Sequence, residues 1–196
     1  MMTERFEKQI EFIIEVDRLK SIIRQSYLVD GSRRENDSEH SWHLALMAFI
    51  LSEHSNKEID VLKVIKMVII HDLVEIDAGD TYAYDEIGNE DKYSREVKAA
   101  ERIFNLLPKD QALEMRALWD EFEERETNEA KFSAALDRVQ PIILNYMSEG
   151  KAWIHHGISR TQVEKRNEHT KEGSQELWNY VVEIMDKAVS KEYLTS

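Results

Sequence analysis

An all-α fold is the class this sequence predicts, and three features carry that reading. Apolar residues recur at helical spacing in one segment after another. Only two Pro and six Gly punctuate 196 residues, which leaves room for long uninterrupted helices. No linker, repeat or low-complexity tract divides the chain, so a single domain over 1–196 is expected, with a core over about 24–147 and C-terminal helices over about 150–190.

The first helix is expected over 4–24, where Phe6, Ile10, Ile13, Ile14, Leu19, Ile22 and Ile23 form a stripe. Residues 30–38 read as a turn-rich loop, with Asp37 or Ser38 as N-cap of a second helix over about 39–53. A third helix over about 59–76 contains the apolar run 61–70, expected to lie in the inner layer. Gly79 to about Tyr93 is polar and aromatic, with Tyr82 and Tyr84 among Asp80, Asp85, Glu86, Glu90 and Asp91. A loop of that length inside a compact domain is more often functional than idle. Helices over about 94–107 and 109–124 flank Pro108, and the charge run 121–126 reads as a solvated face. Thr127 opens a buried helix with Pro141 inside it, where the ring removes the hydrogen bond to the carbonyl of Asp137. A loop holding His155 and His156, and a last amphipathic helix over about 174–189, complete the chain.

Net charge is −13, which argues against general binding to nucleic acid or anionic membranes. One small anion held by a metal and one or two arginines remains compatible with it. Cysteine is absent, so there is neither a disulfide framework nor a thiol nucleophile. No apolar run reaches the roughly 18 residues of a membrane span, and the first residues lack a signal-peptide core. A cytoplasmic protein without membrane partners is expected.

His71 and Asp72 close the apolar run 61–70, where an unpaired carboxylate costs several kcal/mol. His40 begins the second helix directly before Leu44, Met47, Ala48 and Leu51, and Asp137 lies between Leu136 and Val139. Two imidazoles and two carboxylates make a mixed N/O donor set suited to Mn, Fe, Co, Ni or Zn, with positions left for water and a substrate oxygen. Glu75 follows His71 by four residues and Asp72 by three, so it shares their helical face and is placed to give or take a proton. Each residue also has a plainer reading. His71 alone is more often a hydrogen-bonded core histidine, and His40 alone an ordinary first-turn residue. His43 is expected to pack beside the site, His54 to favour its helix C-terminus, and His155 and His156 to face solvent. Zinc-peptidase, ferritin-like and Gly-rich phosphate-loop motifs are absent.

The series His40, His71-Asp72, Asp137 on successive helices resembles the HD-domain metal phosphohydrolases. The stretches Arg34-Glu35-Asn36-Asp37-Ser38-Glu39-His40-Ser41 and His71-Asp72-Leu73-Val74-Glu75-Ile76-Asp77-Ala78-Gly79-Asp80 resemble the branch that includes the bacterial 5′-deoxynucleotidases. The resemblance implies a single-domain HD-type helical bundle with the metal site between core helices. It further implies one divalent ion (Mn, Co, Fe, Ni, Zn or Mg) held by His40, His71, Asp72 and Asp137. Glu75 matches the carboxylate required for catalysis. Asp80 matches a residue of the substrate pocket and is placed with Glu75 among the catalytic groups; Thr81 and Tyr82 accompany it. Arg24 matches an arginine that orients phosphate. Arg33 and Arg34 are as well explained by solvation.

One departure touches selectivity. In the deoxynucleotidases an aromatic residue follows that arginine and helps to sense the missing 2′-hydroxyl; here Gln25 stands there, a group able to hydrogen-bond a hydroxyl. The loop from Asp30 to Arg34 is also one residue longer. The expected activity is therefore a phosphomonoesterase acting on ribo- or deoxyribonucleoside 5′-monophosphates through metal-activated water. The competing readings are a phosphodiesterase or alarmone hydrolase of the same superfamily, and a regulatory nucleotide-binding protein without catalysis. Retention of all four ligands and Glu75 argues against the last. The sequence leaves oligomeric state unread; a homodimer is compatible with the family, whose members are often dimers, and with apolar positions on the terminal helices.

Overall fold

The computed structural model describes residues 3–84, 88 and 90–196. Helix α1 (Glu4–Val16) starts at Thr3, whose side chain accepts from the Phe6 amide. It stops well short of the expected end. A 3₁₀ turn (Asp17–Ser21) follows, and then strand β1 (Ile23–Tyr27) pairs antiparallel with β2 (Arg34–Asn36). The two-stranded ribbon corrects the expectation of helix throughout. Ile22 and Ile23 continued the helical stripe in sequence, yet β-branched residues also suit a strand, and the ladder to β2 decides between them.

Helix α2 (Asp37–Leu51) is capped by Asn36, not by Asp37 or Ser38. The Asn36 side chain accepts from the Glu39 amide and Glu39 accepts from the Asn36 amide, a reciprocal capping box. Asp37 is unavailable for capping because its carboxylate is committed to Arg24. A 3₁₀ turn (Ser52–His54) ends the segment, and His54 pairs there with Glu176.

The expected helix over 59–76 is three pieces: α3 (Val61–Ile70), a 3₁₀ turn (His71–Val74) and α4 (Glu75–Ala78). The run 61–70 is buried on one face only, through Val64, Met67, Val68 and Ile70, while Leu62 and Ile69 stay exposed. Gly79 ends α4 at φ 77°, a left-handed turn that a side chain would strain and that sends the chain back toward the site at Asp80. Within the following polar loop, Asp85 and Glu86 lie outside the described residues.

Helices α5 (Lys92–Phe104), α6 (Lys109–Glu124) and α7 (Asn128–Met147) follow, α7 running on through Pro141. The segment with His155 and His156 is a short helix, α8 (Lys151–His156), rather than a loop; both imidazoles are exposed at its C-terminal turn, where the dipole favours them. Helices α9 (Arg160–Asn167), α10 (Thr170–Gly173) and α11 (Gln175–Ser190) close the chain. At Gly173 any Cβ would sit 2.3 Å from the Lys131 carbonyl oxygen, so the missing side chain is what lets α10 lie against α7.

Among the described residues the apolar core forms two large clusters and a small third of Met67, Phe122 and Ala130. Of the large pair, one joins α2, α3 and α7 to α11 through Leu44, Val68, Phe132, Leu136, Val181 and Met185. The other joins α5 and α6 to the 3₁₀ turn through Ile103, Phe104, Trp119, Leu73 and Val74. Leu136 precedes Asp137 and Leu73 follows Asp72, so the polar site lies where the two clusters meet and each anchors one of its carboxylates. Phe6, Ile10, Ile13 and Ile14 of α1 and Trp42, Phe49 and Ile50 of α2 remain exposed. Among the described residues no helix is long and apolar enough to cross a membrane.

Candidate metal centre

Three elements bring the four expected ligands together. His40 comes from the first turn of α2, His71 and Asp72 from the 3₁₀ turn, and Asp137 from the middle of α7. Ligand atoms of His40, His71 and Asp72 lie within 4.8 Å of one another. Asp137 Oδ1 is 3.0 Å from His40 Nε2 and 3.6 Å from His71 Nε2, and Asp72 Oδ2 is 3.2 Å from His71 Nε2.

The imidazoles are oriented from behind. His71 Nδ1 donates to the Val68 carbonyl at 2.9 Å, which leaves the Nε2 lone pair for a ligand role. That Nε2 is buried and forms no hydrogen bond, although two carboxylates lie close. His40 Nδ1 donates to Gln140 Oε1 at 3.0 Å, and Gln140 Nε2 donates to Glu35 at 2.9 Å. His40 Nε2 therefore faces the Asp137 carboxylate acceptor to acceptor, an arrangement that a cation satisfies. An orphaned imidazole nitrogen, an acceptor pair and an N₂O₂ donor set all fit a divalent metal.

Charge reinforces the fit. Burial alone would lower His71 and raise Asp72 and Asp137. Instead the Asp72 and Asp137 charges lift His71 to about 10. His71 and Arg24 hold Asp72 well below the usual carboxylate range, and Arg138 with the two imidazoles does the same for Asp137. In the metal-free chain a proton on His71 occupies the place that an ion would take, so metal uptake releases protons.

A cavity of about 190 Å³ opens beside the ligands and is lined by Arg24, Gln25, Glu75, Asp80, Thr81 and Tyr82 among others. Glu75 is buried; its Oε1 is 3.7 Å from Lys92 Nζ and its Oε2 has no partner. Burial, reinforced by the Asp72 charge, pushes it up to about 9. Asp80 is raised chiefly by burial, against the pull of Arg24. Arg24 Nη1 bridges Asp72 at 2.8 Å and Asp37 at 3.0 Å, while its Nη2 hydrogen-bonds no described residue. Burial and the Asp72 charge raise Asp37 to about 8. The Gln25 amide also hydrogen-bonds no described residue. Thr81 is more committed than expected, since its hydroxyl accepts from Arg95, which also donates to the Gly88 carbonyl. The Tyr82 ring packs on His156 and Tyr84, at centroid distances of 4.3 and 5.4 Å. Arg33 is exposed and paired with Glu39, away from the cavity lining.

Sequence reasoning missed Glu35, Lys92 and Gln140. Gln140 follows Asp137 by three residues and so projects from the same face of α7, a legible spacing. Lys92 and Glu35 carried no local signal. Replacing Gln140 with Leu is expected to weaken metal affinity about 10- to 100-fold by freeing the His40 ring, which titration of Mn into chelator-stripped protein measures.

The HD domain family model matches residues 16–178. The human protein named 5′-deoxynucleotidase HDDC2 is 32% identical over 136 residues, covering 68% of this chain and 65% of its own length. A Dictyostelium discoideum protein of the same name is 34% identical over 146 residues, covering 71% and 77%. The match thus spans slightly less than two-thirds of the mammalian relatives. The crystal structure of a "Predicted metal-dependent phosphohydrolase" from Magnetospirillum magnetotacticum MS-1 superposes over all of both chains with a TM-score of 0.95 at 48% identity. With its fold, its ligand series and these likenesses in agreement, the chain belongs to the HD domain family.

Proposed function

We propose that the chain is a metal-dependent phosphohydrolase whose substrates are nucleoside 5′-monophosphates. The observation that carries this reading is the cluster of His40, His71 and Asp72, with Asp137 beside the imidazoles, next to the buried, unpartnered Oε2 of Glu75 at the cavity wall. A divalent ion in that donor set supplies positive charge to a phosphoryl oxygen and makes water beside it more acidic. Burial and Asp72 favour neutral Glu75 in the metal-free chain, and a bound cation would favour its ionised form. In that form Oε2 takes the proton from the attacking water and returns it to the departing alcohol oxygen. Lys92, at 3.7 Å, steadies the carboxylate when it is ionised. Arg24 holds Asp72 in place and turns its free Nη2 to the phosphate. Asp80 shares the cavity wall and feels the Arg24 charge, which suits a role in orienting the leaving group. The Tyr82 and Tyr84 rings offer an aromatic face to a base. The names of the HDDC2 relatives and of the M. magnetotacticum structure support the same chemistry.

Gln25 lines the cavity with an uncommitted amide, so selection for the deoxy sugar is not built in at that position. A screen of matched ribo- and deoxyribonucleoside 5′-monophosphates, read as released phosphate, is expected to give kcat/KM values within about tenfold of each other, since one exposed hydroxyl contact is worth only about 1 kcal/mol. A deoxy preference of a thousandfold would contradict the role given to Gln25. No release from any monophosphate would contradict the proposed function.

A further inference from the structure

Acidic groups and arginines share the cavity lining: Asp72, Glu75, Asp80 and Glu123 with Arg125, Arg138 and Arg166. Arg24 is paired closely with Asp37 and Asp72, and Lys92 with Glu96 at 3.1 Å. Arg138 and Arg166 are met less fully. Arg138 has only a loose contact, Nη1 to Asp137 Oδ2 at 3.4 Å, and its buried Nε has no hydrogen-bond partner. Arg166, half-buried on α9, makes no ion pair or hydrogen bond with any described residue. In a chain with 39 acidic and 26 basic residues, carboxylates to pair it are in surplus. A half-buried guanidinium left unpaired amid that surplus is costly unless an anion arrives to meet it.

We propose that Arg138 and Arg166, with Arg125 at the rim, form an anion clamp that grips the phosphoryl group of the substrate and the released phosphate in the cavity that Arg24 also lines. Arg138 touches the outer oxygen of Asp137, whose inner oxygen faces the imidazoles, so an anion on the clamp lies next to the donor set. Two guanidinium forks match the several oxygens of a phosphate monoester. The neighbourhood reads as positive in a second way. His169, whose buried Nε2 also lacks a partner, is pushed down to about 4 by burial and by Arg138, Arg125 and Arg166. Arg166 itself is lowered to about 10 by burial and by Arg138.

The inference rests on the proposed phosphohydrolase reading, so its test has two arms. One separates kcat from KM for a nucleoside 5′-monophosphate; the other titrates inorganic phosphate into the manganese-loaded protein by calorimetry. In Arg166→Gln both KM and the phosphate Kd should rise roughly 10- to 100-fold, the range for a charge-assisted hydrogen bond. A clamp that holds ground state and transition state alike leaves kcat within about threefold. Arg166→Lys should recover part of the loss. Arg5→Gln, which deletes the same charge from an exposed pair with Asp110, should move neither constant. Unchanged phosphate affinity in a folded Arg166→Gln protein would overturn the clamp. Where that variant fails to fold, as circular dichroism reads it, unchanged affinity in Arg166→Lys does so. Hydrolysis by the wild type with an unaltered KM in the variant removes the clamp and leaves the proposed function standing. A wild type that hydrolyses nothing but binds phosphate through Arg166 does the reverse.

Discussion

Replacing Asp72 with alanine is expected to lower nucleotide hydrolysis by about a thousandfold or more and to strip the protein of its metal. The carboxylate is one of the four candidate donors, and its Oδ2 also receives Arg24 at 2.8 Å. Losing the ion forfeits several kcal/mol of transition-state stabilisation, and each factor of ten in rate is worth about 1.4 kcal/mol. The fold should survive, because Asp72 sits beside the apolar clusters and not inside them, and because its negative charge raises Asp37, Glu75 and Asp80 in the metal-free chain. Circular dichroism checks the fold and elemental analysis the metal. A folded Asp72→Ala protein that keeps full activity would sink the ligand assignment.

Glu75→Gln should cost roughly 10²- to 10⁴-fold in kcat, the usual share of a positioned proton-transfer group, and yet stabilise the metal-free protein at alkaline pH. Glu75 titrates near 4.5 when unfolded and near 9 when folded. Between those values the folded chain binds a proton that the unfolded chain has released, so the free energy of unfolding falls as pH rises through that window. Asp37, raised to about 8, acts in the same direction. The amide of Gln cannot ionise and removes the Glu75 part of this slope. Thermal unfolding in chelator should therefore show matching Tm values for wild type and variant near pH 4.5, with the variant pulling ahead progressively toward pH 9. A gap that is constant across pH would mean that Glu75 is not held in its neutral form.

The candidate donor cluster was legible because its cost was visible in sequence. Polar residues at His71, Asp72 and Asp137 interrupt apolar helices, and the helical period places Glu75 beside the first two. The ribbon was not legible, since Ile22 and Ile23 fit either a helix or a strand, and only pairing with residues 34–36 discriminates. The same period hid the 3₁₀ turn over His71–Val74, whose tighter winding comes from tertiary packing of Leu73 and Val74 against α5 and α6. Gln140 could have been found by its spacing from Asp137. Arg166 and Lys92 could not, because they reach the cavity from α9 and α5 through the tertiary arrangement alone. Asn36 displaced the expected caps for a reason outside its helix, the demand of Arg24 for Asp37.

Metal-dependent hydrolysis is tested most directly by a metal titration followed by activity. Chelator-stripped protein should hydrolyse no nucleoside 5′-monophosphate, and Mn added back should restore phosphate release in step with occupancy, saturating at one ion per chain. Full hydrolysis by the stripped protein, or failure to bind any divalent ion at stoichiometric level, would contradict it.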